Sequence, residues 1–164
     1  MPPSAPAVDV GQKAPAFEAT ALDGTPLRFP EDVAGKVVLV RFWAEKCPVC
    51  EQTMKELEGV FQRNKEAGFV ILAVNSGQSR EKAEAFAQRV GLSYTILVDE
   101  QSEAAKLYGV KGLPVSFMVD KQGMVSARFV GKASAEEFEK SVLAALAAPS
   151  SAEEPPSPDS SSLP

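Results

Sequence analysis

Cys47 and Cys50 are the only cysteines of the chain, and they enclose Pro48 and Val49. A pair at this spacing can supply half of a metal site, a short structural disulfide, or a dithiol that cycles with its disulfide. The chain has no histidine, so nothing soft remains to complete a four-ligand zinc site. A bridge over two residues closes almost no loop and adds little stability. The leading reading is a redox-active dithiol, whose chemistry is thiolate attack on a disulfide.

The flanking sequence positions such a dithiol. Lys36 to Trp43 is a near-continuous apolar run rich in β-branched residues, the mark of a strand covered on both faces. After Cys47, Met54, Leu57, Val60 and Phe61 form one stripe of a helix that runs to about Ala67, where Gly68 ends it. The cysteines thus stand at a strand-to-helix junction. A thiolate in the first helical turn is stabilised by unpaired backbone N–H groups and the positive end of the helix dipole, which lowers its pKa. Pro48 at the first helical position sacrifices no hydrogen bond and presets φ, and Lys46 adds a positive charge. Cys47 is expected to be the exposed, low-pKa attacker and Cys50, one turn deeper, the resolving thiol.

The rest of the middle alternates strands and helices. Phe17 to Leu22, the turn Asp23-Gly24 and Pro26 to Phe29 predict a hairpin. Phe69 to Val74 is a second buried strand, Ser79 caps a helix closed by Gly91, and Thr95 to Val98 is a third core strand. A short helix over Glu103 to Tyr108 follows, then a strand opened by Pro114 that turns at Lys121-Gln122-Gly123 into Met124 to Val130. Ser134 and Glu137 form a capping box for a last helix with Phe138, Val142, Leu143 and Leu146 on one face. This order predicts an α/β sandwich with a mixed sheet.

Composition bounds the remainder. Of 164 residues 45% are apolar, enough for one ordinary domain, and no apolar run approaches the roughly 20 residues of a membrane span. The formal charge of −5 argues against nucleic acid as a partner. Pro149 to Pro164 holds five prolines, six serines and three acids without a base, a composition that cannot offset its ordering entropy. Residues 1–7 have the same character, so the expected organisation is a domain over 8–148 between disordered ends 1–7 and 149–164. No basic segment followed by an apolar one precedes the domain, so an extracytoplasmic location requires a signal or anchor absent from this chain. No apolar stripe is left over, which makes a monomer the default.

Phe42-Trp43-Ala44-Glu45-Lys46-Cys47-Pro48-Val49-Cys50 resembles the thioredoxin-family active site, and the span from Gly11 to Leu146 resembles its TlpA/ResA-like branch. The branch opens with a segment like Gly11-Gln12-Lys13-Ala14-Pro15-Ala16-Phe17, and its helical insertion is matched by Ser79 to Val90. Its cis-proline strand is matched by Tyr108 to Asp120. The resemblance implies a thioredoxin-like three-layer α/β/α sandwich with a mixed central sheet and an additional N-terminal β-hairpin. It also implies a cis bond between Leu113 and Pro114 beside the sulfurs, presenting the backbone of residue 113 to an extended substrate strand, with Trp43 and Pro48 at the same surface. The chain departs from its relatives in three places. Arg41 stands where thioredoxin has a buried aspartate, Thr53 where the ResA-like group often has a glutamate, and Lys46 where a tryptophan commonly precedes the first cysteine. Alternation puts Arg41 on one face with Val37, Leu39 and Trp43; its guanidinium either runs to solvent past Trp43 or stabilises a Cys50 thiolate, so that Arg41 and Lys46 are the candidate pKa-tuning residues.

The implied function is a thiol–disulfide oxidoreductase that reduces disulfides of a partner protein and is regenerated by an unidentified dithiol donor. It needs no cofactor beyond the Cys47–Cys50 disulfide and no metal. The branch is mostly anchored outside the cytoplasm and serves cytochrome c maturation or related tasks. A peroxiredoxin-like thiol peroxidase is the first alternative, but the threonine or serine and the proline it requires before its cysteine are Ala44 and Val40 around Cys47. A non-catalytic binding module is the second. Copper delivery on this scaffold is disfavoured, because its third ligand is a histidine.

Overall fold

The structure, a computed structural model, describes residues 8–44, 50–131 and 133–148. The end segments 1–7 and 149–164 lie outside the described residues. Among these residues seven strands form one sheet: β1 (Phe17–Ala21), β2 (Pro26–Phe29), β3 (Val37–Trp43), β4 (Phe69–Ser76), β5 (Thr95–Asp99), β6 (Val115–Val119) and β7 (Val125–Val130), in the order β2-β1-β5-β4-β3-β6-β7. Strands β3, β4 and β5 are parallel to one another, and the pairs β1–β2, β1–β5, β3–β6 and β6–β7 are antiparallel. The sheet is therefore mixed, with an N-terminal hairpin added at the β5 edge.

Among the described residues four α-helices cover it: α1 (Cys50–Asn64), α2 (Arg80–Val90), α3 (Glu103–Leu107) and α4 (Ala135–Ala147). Period-two alternation in β3 feeds two cores. Val37, Leu39 and Trp43 pack with Met54, Leu57 and Val60 of α1, Phe86 of α2, and Phe138 and Val142 of α4. Val38, Val40 and Phe42 face the other way, into Phe17, Phe29, Tyr108 and Phe117. All seven residues of β3 are buried, as a central strand between two helical layers demands.

Local signals explain the ends of the elements. Ser79 Oγ accepts from the Lys82 N–H at the start of α2, and Gly91, at φ 82°, closes it in the left-handed region. Ser134 and Glu137 make a complete capping box at α4. Ser134→Ala should lower stability by about 1 kcal/mol, read as a smaller urea midpoint at unchanged slope. One face assignment needs correction. Phe138, Val142 and Ala145 turn inward from α4, but Leu143 is 54% exposed. At 100° per residue Leu143 points well away from the Phe138 row, and the helix rests on the sheet through a narrower stripe than its apolar content suggested. The described residues also hold a 3-10 turn over Glu31–Val33, a second over Lys65–Ala67 that follows α1 up to Gly68, and a cis bond between Phe29 and Pro30.

Candidate active site

The carboxyl ends of β3, β4 and β5 meet the amino end of β6 at one edge of the molecule, the side where open α/β sheets bind their ligands. Trp43 closes β3, Cys50 opens α1, and Leu113–Pro114 leads into β6. Lys46, Cys47 and Pro48 lie outside the described residues, as does the side chain of Cys50. The strand-to-helix junction that the sequence predicts is in place on either side of them.

Leu113–Pro114 is a cis peptide, and the Pro114 carbonyl accepts from the Gly131 N–H at 2.9 Å, which pins the loop to the end of β7. Beside it lies a groove of about 410 Å³ lined by Leu113, Pro114, Val115, Phe117, Arg128 and Val130. Leu113 and Val130 are 38% and 66% exposed. An apolar floor with two cations, Lys111 and Arg128, in its lining suits an extended, largely apolar polypeptide segment. Trp43 is fully buried, with its ring 4.6 Å from that of Phe86. Its indole belongs to the core beneath the junction, and the expectation that it lines a substrate surface is corrected: α2 covers it.

Of the two placements left open for Arg41, the structure selects the interior, with the residue 1% exposed. Its Nη1 donates to Ser116 Oγ at 3.0 Å, while Nε and Nη2 have no partner among the described residues. Burial pushes its pKa down to about 10, so it remains a cation at neutral pH. Trp43 Nε1 and Asn75 Oδ1 are likewise buried without partners. Ser116, directly opposite Arg41 in the β3–β6 register, and Asn75, opposite Trp43 in the β3–β4 register, complete this polar layer. Neither was singled out from sequence; the signal was a polar residue interrupting each buried apolar strand.

Among the described residues, the carboxylate that flanks the pair, Glu51, is engaged at the surface. Glu51 is bonded to Arg89 at 3.1 Å and lies 3.8 Å from Lys55, at the surface of α1. Thr53, where a glutamate is common in relatives, is buried. Tyr94 donates its hydroxyl to the Met54 carbonyl at 3.1 Å, and burial holds its phenol above the usual range. The layer beneath the first turns of α1 therefore contains a cation and neutral polar groups. Among the described residues no cluster of histidine, cysteine or carboxylate side chains could hold a metal ion.

Comparison with known proteins agrees with this geometry. The model of the AhpC/TSA family matches residues 10–128. The thiol-disulfide oxidoreductase ResA of Geobacillus kaustophilus is 37% identical over 134 residues, covering 82% of this chain and 76% of that protein. ResA of Bacillus anthracis is 30% identical over 132 residues, covering 80% of this chain and 76% of its own length. A crystal structure assigned as the thiol:disulfide interchange protein DsbE of Chlorobium tepidum superposes with a TM-score of 0.80 at 34% identity, over 85% of this chain and 99% of that one. With a cis-proline loop and a helix-opening cysteine at the carboxyl edge of a thioredoxin-like sheet, the chain belongs to the AhpC/TSA family, in its TlpA/ResA-like group of thiol–disulfide oxidoreductases.

Proposed function

We propose that Cys47 and Cys50 are the exchanging dithiol and that the enzyme works as a reductant of disulfides in a partner protein. The observation that carries this reading is the junction itself. β3 and α1 flank the Cys47–Cys50 pair, and the cis Leu113–Pro114 loop stands at the same sheet end beside an open apolar groove. Cys47 thiolate attacks a substrate disulfide, Cys50 then attacks Cys47, and the substrate leaves with both its sulfurs reduced. Leu113 and Pro114 offer backbone to the extended substrate segment, and Lys46 supports the Cys47 thiolate by charge. Oxidised enzyme is returned to the dithiol by a donor of the same chemistry.

The folded unit is residues 8–148, acting as a monomer in an extracytoplasmic compartment. Support for that location comes from the likeness to ResA and DsbE proteins; among the described residues no helix is long and apolar enough to cross a membrane.

The test is reduction of insulin by the pre-reduced protein, compared with the same protein alkylated at both thiols, together with its equilibrium against glutathione. Reduction by the dithiol form alone is expected, with a potential of roughly −200 to −270 mV. Equal rates for the two forms would remove the dithiol from the chemistry. A potential near ~−120 mV would reverse the direction.

A further inference from the structure

The groove beside the cis Leu113–Pro114 loop carries charge of one sign. Its lining holds Lys111 and Arg128 and no acidic side chain, although the formal charge of the chain is −5. Neither cation makes an ion pair among the described residues. Arg128 Nη1 donates one long bond, 3.4 Å, to the Val8 carbonyl. The register of β6 and β7 fixes where this charge stands. Val115 is the cross-strand partner of Val130, and Phe117 that of Arg128. Arg128 therefore lies one two-residue step, about 7 Å, further from the cis-proline end than Val130. Lys111 stands two residues before Leu113, in the loop that leads into β6.

We propose that this groove selects substrates by charge: the extended segment it holds carries a Glu or Asp side chain, bound by Lys111 and Arg128 about two residues from the one seated on Val130. This deepens the exchange reading and rests on it, because that reading makes the occupant a polypeptide. A wholly apolar segment laid over Val115, Phe117 and Val130 covers apolar surface, but it also strips water from both cations. Cations that lose hydration without gaining a partner oppose binding. A carboxylate within their reach offsets that loss and steers the encounter. Arg128 suits it in particular, since a planar guanidinium can donate two parallel bonds to one carboxylate. Side chains of an extended segment alternate between faces, so the acid belongs two residues from another that points into the groove. A basic residue at the same place meets like charge and is disfavoured, which gives the groove a repulsive element as well as an attractive one.

The experiment uses the full chain and synthetic Val/Thr/Ser peptides that each hold one intramolecular disulfide. Glu, Gln or Lys is placed two, three or four residues outside one of the peptide's cysteines. Two quantities are read: kcat/KM for reduction by the dithiol form, and Kd on protein alkylated at both thiols. At low salt the best Glu peptide is expected to exceed its Gln counterpart about threefold to tenfold in both, as one or two exposed ion pairs allow. The Lys peptide should fall below Gln. At about 1 M salt, where the screening length is about 3 Å, the three should come within about twofold of one another. Lys111→Glu combined with Arg128→Glu should invert the order, with Lys above Gln and Gln above Glu. Lys46 and Lys132 lie outside the described residues and are changed to Gln one at a time.

Equal Glu and Gln peptides at every position in the unaltered protein overturn the proposal, and that result needs no variant to fold. So does a Glu preference that survives the double reversal, or one abolished by Lys46→Gln or Lys132→Gln alone. The exchange reading fails separately, if the dithiol form reduces none of the peptides. The order of Kd on the alkylated protein still decides the charge selection in that case.

Discussion

Serine at Cys50 should stop turnover with the substrate still attached, whereas serine at Cys47 should prevent attachment. The two sulfurs differ in what their surroundings do for them. Cys47 precedes α1 in the chain and follows Lys46, so on the proposed roles its thiolate is expected to gain from backbone donors, the helix dipole and a cation. Cys50 opens the helical span itself, and its attack is directed at a neighbour three residues away. In Cys47→Ser, attack on a substrate disulfide is therefore expected to fall by about 10³-fold or more, equivalent to about 4 kcal/mol of barrier. In Cys50→Ser the first attack should stay within about threefold of wild type, since the attacking thiolate is untouched. Steady-state reduction should nevertheless collapse, and a one-to-one covalent adduct should accumulate. Mass spectrometry of the quenched reaction reads this directly. An adduct that forms faster on Cys50 in Cys47→Ser than on Cys47 in Cys50→Ser would exchange the two roles.

Much of this arrangement is legible in the sequence because it is local. The strand, the helix stripe and the Cys47–Cys50 spacing are set by side-chain periodicity and need no tertiary information. The capping box at Ser134 and the stop at Gly91 are equally local, and the structure places both at helix ends. Arg41 shows where this stops. Alternation assigns its face, but whether a long side chain reaches solvent depends on how far α1, α2 and α4 extend over the end of β3. That is fixed by packing among residues distant in sequence, such as Phe86 against Trp43 and Phe138 against Arg41. The same reason hides Ser116 and Asn75, which matter only through register with Arg41 and Trp43. Leu143 erred in the opposite sense. Its apolar type suggests burial, but the helical period points it well away from the Phe138 row, and it stays exposed.

The largest loss of stability is expected on the face of β3 opposite Arg41 and Trp43. Phe42 is fully buried, with its ring 5.2 Å from Tyr108 and 6.1 Å from Phe117. Tyr108 in turn meets Phe17 at 5.8 Å and donates its hydroxyl to the Pro15 carbonyl at 2.8 Å. Phe42 thus joins the central strand to the segment and hairpin that precede it, and these surroundings are too interlocked to collapse into a smaller side chain. Phe42→Ala should cost about 3–5 kcal/mol through lost transfer energy and the cavity left behind. That is a large share of the roughly 5–15 kcal/mol available to a domain, and it should move the urea midpoint down by about 1–3 M at unchanged slope. The redox chemistry should survive in the molecules that remain folded. Phe42 and Arg41 alternate to opposite sides of the sheet, so the cavity opens away from the Arg41, Ser116 and Trp43 layer. Alkylation of Cys47 in the folded fraction is therefore expected to match wild type. A midpoint shift corresponding to less than about 1 kcal/mol would mean that the second core repacks freely. An altered Cys47 rate in folded protein would mean that the two faces of β3 are coupled through the strand itself.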